Sequence, residues 1–219
     1  MSGSRSSAVK RPADTRLALL RAAESLFAER GVDSVSMREI AAAAGQANHS
    51  AALYHFNDKR DLINSLLSRH SDPIQAAWLV TLDHMSAQGH ESLPELVGLL
   101  VRPVVAKLDD PDGGTHFLLV VAGLIASRSF PVASMPVVDA PGVIELRTRI
   151  MRQIDSIPPQ FQQLRMMRVI NVLYGSIANY HSLVSNGFGI SREGFVEDLI
   201  TALVAVIGYK GPLDARDGR

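Results

Sequence analysis

The sequence predicts an all-α protein, and three observations carry that prediction. Apolar residues recur at i, i+3/i+4 and i+7 along most of the chain, the signature of helices with one buried face. No stretch alternates with period two for long enough to argue a sheet, and helix-start and helix-stop residues bracket the periodic segments. The first helix is expected over 14–30, with Leu19, Leu20, Ala23, Leu26 and Phe27 as its stripe and Gly31 as the residue that ends it. Ser36-Met37-Arg38-Glu39 reads as a capping box flanked by a Val35–Ile40 hydrophobic staple. The short helix it opens runs through Ala44 to Gly45, and a second short helix follows over about 48–55. Asp58, with Asp61 three residues on, caps a fourth helix to about His70, and Asp72-Pro73 is expected to break or kink the chain. Further helices are expected near 73–87, 93–108, 115–129, 142–156, 160–185 and 191–207. Three prolines make 131–142 an irregular connection. We find no internal repeat.

Composition narrows the class. Hydrophobic residues make up 47% of the 219, enough for a sizeable core and too many for a disordered chain. Cysteine is absent, which excludes a disulfide framework, thiol catalysis and cysteine-ligated zinc. The longest apolar run, 117–126, is half of what a membrane span needs. Arg21 interrupts the only apolar stretch near the start, so no signal peptide is expected and the compartment should be the cytoplasm. The balance of 22 basic against 22 acidic residues hides an asymmetry: residues 1–21 carry five basic groups against Asp14 alone. Such an end suits a polyanion partner, and equally a solvated tail.

The two short helices joined at Gly45 form a helix-turn-helix candidate, whose second helix would lie in the major groove of DNA. Ala41 and Ala44 are small where two helix backbones must approach closely. Asn48, His49 and Ser50 open the second helix with short polar groups, and Tyr54, His55 and Lys59 offer donors at and after its end. Tyr54 could instead be a core aromatic, and His49 a solvated histidine.

These segments resemble the TetR family of bacterial transcription regulators. The matching pieces are Leu26-Phe27-Ala28-Glu29-Arg30-Gly31, then 35–45 from Val35 to Gly45, then Leu53-Tyr54-His55-Phe56-Asn57-Asp58-Lys59-Arg60-Asp61-Leu62-Ile63. The chain departs from commoner members at Leu53 and by one extra turn residue at about Gln46, like a subgroup with a longer, Asn-containing turn. The resemblance implies about nine helices in four parts: a disordered basic arm (1–12), a helix-turn-helix DNA-binding domain (13–66), a helical ligand-binding and dimerisation domain (67–210) and a flexible tail (211–219). It also implies, together with the groove geometry, that Asn48, His49 and Ser50 face base edges. Tyr54, His55 and Lys59 would then bind phosphates, with Ser36 and Arg38 touching the DNA backbone.

The expected partners are double-stranded operator DNA, a small-molecule effector and a second copy of the chain. For the effector, the face-sharing sets Trp78 and Met85, Phe117 and Val121, and Asn171, Tyr174 and His181 are pocket candidates; each is also a plausible core or interface group. For the dimer, the stripe Phe195, Leu199, Ala202, Leu203 and Val206 on an all-round apolar last helix is the expected seam. No cofactor or metal is expected, and the enzyme motifs sought in the sequence do not occur: neither H-E-x-x-H nor a phosphate-cradling Gly loop. The alternative to a ligand-responsive regulator is a helical small-molecule-binding or adaptor protein without specific DNA binding.

Overall fold

A computed structural model describes residues 12–46, 54–89 and 91–209. Eight complete α-helices lie among them: α1 (Pro12–Arg30), α2 (Met37–Ala43), α3 (Lys59–Gln88), α4 (Leu93–Val105), α5 (Gly114–Ala126), α6 (Pro141–Arg152), α7 (Pro159–Ser185) and α8 (Arg192–Gly208). Tyr54 and His55 are helical as well, and no strand occurs among the described residues. The expected basic arm, apart from Pro12, and the expected tail lie outside the described residues.

The helix boundaries follow from local chemistry. Pro12 opens α1, where its missing N–H falls among the donors that no helix satisfies internally. Gly31 ends it at φ 78°. The Ser36–Glu39 box forms on α2: the Ser36 hydroxyl accepts from the Glu39 amide (3.3 Å), and the Glu39 carboxylate accepts from the Ser36 amide (2.8 Å). Asp58 caps α3 by accepting from the Asp61 amide at 2.8 Å. A second box, Ser92–Glu95, opens α4, and the Ser191 hydroxyl caps α8. The 131–142 connection is two short 3₁₀ turns, Val132–Ser134 and Pro136–Asp139.

The expected break is absent. Asp72-Pro73 neither breaks nor ends the helix: α3 runs unbroken for 30 residues with Pro73 inside it. The proline faces solvent, while Leu66, Leu67, His70, Ile74, Trp78 and Leu82 are buried on both sides of it. Burial of that stripe holds the helix through the one backbone bond that proline removes. At its far end, the buried Arg149 of α6 donates to the Leu82 carbonyl (2.8 Å) and pairs with Glu91 and Glu145.

α3 therefore belongs to both halves of the chain. Its first turns complete a small unit with α1 and α2, and its later turns pack against α4 and α6. α5 packs between α1 and α7, while α8 closes the bundle against α4 and α7. A single hydrophobic core runs from Leu19 through Phe56, Leu66, Trp78 and Leu124 to Ile207.

Candidate nucleic-acid interface

The surface around α2 is built from the capping box outward. Val35 and Ile40 are fully buried, as a staple requires, and fix the angle at which the chain enters α2. Arg30, at the end of α1, donates to Glu39 at 2.7 Å and so ties α1 to the box. Hydrogen bonds from the Ser36 amide and hydroxyl, then from Arg30, hold the Glu39 carboxyl down at about 2. Ser36 and Arg38 are exposed at the start of α2. Gly45 takes φ 71° and turns the chain out of the helix.

Asn48, His49 and Ser50 lie outside the described residues. Tyr54 and His55 follow them, in a T-shaped contact with ring centroids 5.1 Å apart. Tyr54 is 82% exposed, which removes the core-aromatic reading. Phe56, two residues after Tyr54, is buried at 1% and roofed by the Arg16 guanidinium 5.0 Å above its ring. The chain thus turns one aromatic outward and the next inward.

Lys59 sits differently from a free phosphate-seeking ammonium. Its Nζ lies 5.7 Å from the centre of the Phe27 ring and 5.3 Å from that of Phe130, and partial burial lowers its pKa against the pull of Asp33 and Glu39. Phe130 comes from the segment after α5, which also offers the Ser127 hydroxyl to Asp33 at 3.2 Å. The second half of the chain therefore touches the small N-terminal unit where α3 begins.

The effector candidates are spread over α3, α5 and α7. Trp78 is 6% exposed, and its indole N–H donates to the Leu99 carbonyl at 2.8 Å, so its polar edge is already satisfied. Phe117 and Val121 are core residues, and Phe117 stacks on His70 at 4.8 Å. Met85, Tyr174 and His181 are partly buried, and burial pushes the Tyr174 hydroxyl up to about 12. Asn171 is exposed, on a face of α7 that turns away from the core residues Val169, Leu173 and Ile177. Two surface clefts, of about 480 and 600 Å³, lie instead along α1, one lined by Arg21, Asp110 and His116, the other by Leu17, Asn64 and Arg69.

The expected dimer stripe is divided. Leu199 and Leu203 are buried within the protomer (3% and 0% exposed), Phe195 and Val206 are half-buried, and Ala202 is exposed. Helix α8 spends its most apolar face on α4 and α7, so Leu199 and Leu203 are not free for a second copy. Leu164 and Met167 on α7 are 44% and 59% exposed.

Sequence reasoning passed over a polar cluster between α1 and α3. Glu24 is 1% exposed and accepts from Arg69 (2.7 Å) and from the His70 ring (2.8 Å). The signal was present: Glu24 falls on the stripe of Leu20, Ala23 and Phe27, and His70 on that of Leu66, Leu67 and Ile74. A charge on a buried stripe needs a partner.

A capped helix, a glycine turn and an outward-facing aromatic on a three-helix unit, followed by a larger helical bundle, define a helix-turn-helix protein with a second helical domain. The comparisons agree. Residues 19–66 match the family described as "Bacterial regulatory proteins, tetR family". Over 99 residues the chain is 35% identical to the "HTH-type transcriptional repressor BepR" of Brucella suis biovar 1 (strain 1330); the match covers 44% of this chain and 43% of that repressor's length. The fold is similar to that of the fatty acid degradation regulator FadR from Bacillus halodurans (TM-score 0.60, 17% identity, 92% of this chain and 97% of that one). It is also similar to a TetR family transcription regulator from Marinobacter aquaeolei VT8 (TM-score 0.56, 17% identity, 89% and 95%). Residues 19–66 thus carry the N-terminal domain of the tetR family of bacterial regulatory proteins, and the chain spans less than half the length of the curated relative it matches.

Proposed function

We propose that this protein is a ligand-responsive transcriptional regulator, a repressor that binds operator DNA as a homodimer in the cytoplasm and releases it when a small, largely apolar molecule binds. The exposure of Tyr54 carries the reading. A large aromatic held almost wholly in solvent, beside His55 and after a capped helix and glycine turn, supports a phosphate-contacting role. Ser36 and Arg38 present further donors. Asn48, His49 and Ser50 supply the base-edge groups in this reading, and Lys59 adds a cation whose stem is fixed by two rings.

Two copies place two reading helices in successive major grooves, ~34–36 Å apart. Apolar side chains available for pairing include Leu164, Met167, Leu183 and Val184 of α7, beside the exposed side of α8 around Ala202. Among the described residues, no helix is long and apolar enough to cross a membrane, and no group of three His, Cys, Asp or Glu could hold a metal ion.

A mobility-shift titration against DNA flanking the protein's own gene tests the reading. We expect a specific complex with two protomers that weakens steeply with salt, as counterions condensed on phosphate are released. Asn48→Ala should relax preference at one base position by ~1–3 kcal/mol. Absence of a shift with every flanking fragment, or salt-independent binding, refutes operator recognition.

A further inference from the structure

Among the described residues, the small N-terminal unit meets the larger helical domain through α3 itself, the apolar packing of α1 on α5, the Phe130 segment over Lys59, and the Glu24 cluster. The Glu24 cluster differs in being buried, charged and built from four separate elements. Glu24 of α1 accepts from Arg69 and His70 of α3 through one oxygen, Oε1. Arg69 reaches on to the turn between α4 and α5, donating to the Asp112 carbonyl at 3.0 Å and pairing with the Asp112 carboxylate. Arg21, one helical turn before Glu24, pairs with the same carboxylate at 2.8 Å. The other face of His70 is closed by Phe117 of α5, and its Nδ1 lies 3.9 Å from Asp110, which Lys107 holds at 2.9 Å.

The turn is shaped for this contact. Gly113 has φ 88°, and a Cβ at that position would stand 2.3 Å from Glu24 Oε2. Only a glycine lets the backbone close over the carboxylate. The arrangement fixes α1 against the second domain in one pose, because a charge-assisted hydrogen bond to a buried carboxylate tolerates little change in distance or angle. Apolar contacts between α1 and α5 allow sliding; this cluster does not. None of its members lies among the residues placed at the DNA surface.

We propose that Glu24, gripped by Arg69, His70 and the 110–113 turn, is a positioning residue for operator recognition: it sets the angle of each reading head on its own protomer, and thereby the half-site spacing that a dimer accepts. The inference rests on the dimeric regulator reading above. Glu24 touches no base and no phosphate. It acts by narrowing the range of head orientations, so its loss should leave contact with DNA intact and spoil the simultaneous fit of two heads.

The test compares the wild type with Glu24→Gln and Asp112→Ala on an operator obtained by selection from random DNA, on versions with one or two base pairs added to or removed from the centre, and on an unrelated fragment. Glu24→Gln keeps the size and removes the charge; Asp112→Ala loosens the turn from a half-exposed position, where folding is not in question. We expect both variants to remain folded dimers by circular dichroism and sedimentation, with affinity for the unrelated fragment unchanged. Preference for the native spacing over the altered ones should fall about tenfold, within the ordinary range of coupling between sites. Folded variants that keep the wild-type spacing preference overturn the proposal. Should Glu24→Gln fail to fold, Asp112→Ala decides alone, and full discrimination by it is also a refutation. A wild type with no preference for any selected site sinks the regulator reading instead, which separates the two failures.

Discussion

The Ser36 hydroxyl donates to Glu39 while accepting from the Glu39 amide, and the same carboxylate takes a proton donor from Arg30. Four groups at the mouth of α2 thus depend on two side chains. Ser36→Ala should cost about 1 kcal/mol of stability, the usual loss for an N-cap, read as a lower urea midpoint at unchanged slope. Because hydrogen bonds hold the Glu39 carboxyl at about 2 rather than its ordinary 4.5, the box is complete above pH 4.5. It is lost only as pH falls through about 2; the Glu39 carboxyl resonance should therefore titrate near 2, and a midpoint near 4.5 would show the box open in solution. Lys59 has two tasks, over Phe27 and Phe130 and toward DNA. Lys59→Ala should weaken binding to all sequences alike and reduce the salt slope by about one unit. It should also destabilise the fold by roughly 0.5–1 kcal/mol through the lost ring contacts. A binding defect confined to one operator sequence would contradict the phosphate role.

At the scale of elements, local signals and tertiary packing gave different answers. Caps are local: Ser36, Asp58, Gly31 and Gly45 act within one turn, and their positions in the structure match the reading of the sequence. Pro73 is not local. Its effect on α3 depends on whether neighbours elsewhere in the chain clamp both sides of it, which no window of sequence contains. The last helix shows the same divide. An apolar residue on every face signals burial, but which face meets the protomer and which meets a partner is decided by α4 and α7. Leu203→Glu places an unpaired carboxylate in the protomer core and should therefore unfold the chain rather than merely split a dimer. Met167→Glu, at a 59% exposed position, should keep the circular dichroism of the folded chain and shift sedimentation toward the monomer. A Met167→Glu protein that stays dimeric moves the interface off this face of α7. The Glu24 cluster lay within reach of the sequence, since both its buried members interrupt apolar stripes; the partner of each was out of reach, being 46 residues away.

For the whole molecule, the effector reading asks how occupation of the helical domain reaches the DNA surface. A ligand lowers operator affinity only by as much as it prefers the conformer that does not bind. A coupling of ~1–3 kcal/mol, about 5–150-fold in affinity, suffices for a switch. Trp78 offers the readout: it is the only tryptophan and it is buried with its indole N–H bonded to Leu99. A ligand entering beside it should shift its emission in the same concentration range that releases operator DNA. Tight binding with operator affinity unchanged would refute the coupling. The pocket was the least legible part of the sequence, since a row of polar-tipped residues on an apolar helix looks the same whether it lines a cavity, meets a partner, or, as at Asn171, faces water.

The unbroken path of α3 has a mechanical consequence. Thirty residues at 1.5 Å each make a rod of roughly 45 Å, with Pro73 near its middle and ~21 Å from the Lys59 end. A helix lacking one backbone bond is softest there. A tilt of about 10° around that fulcrum sweeps the Lys59 tip through roughly 4 Å, slightly more than the ~3.4 Å between successive base pairs. Displacements near the fulcrum stay below an ångström, small enough for the side chains of the core to follow without parting. Leverage alone would thus turn a small internal adjustment into a full base-pair step at the surface, with the proline as its fulcrum.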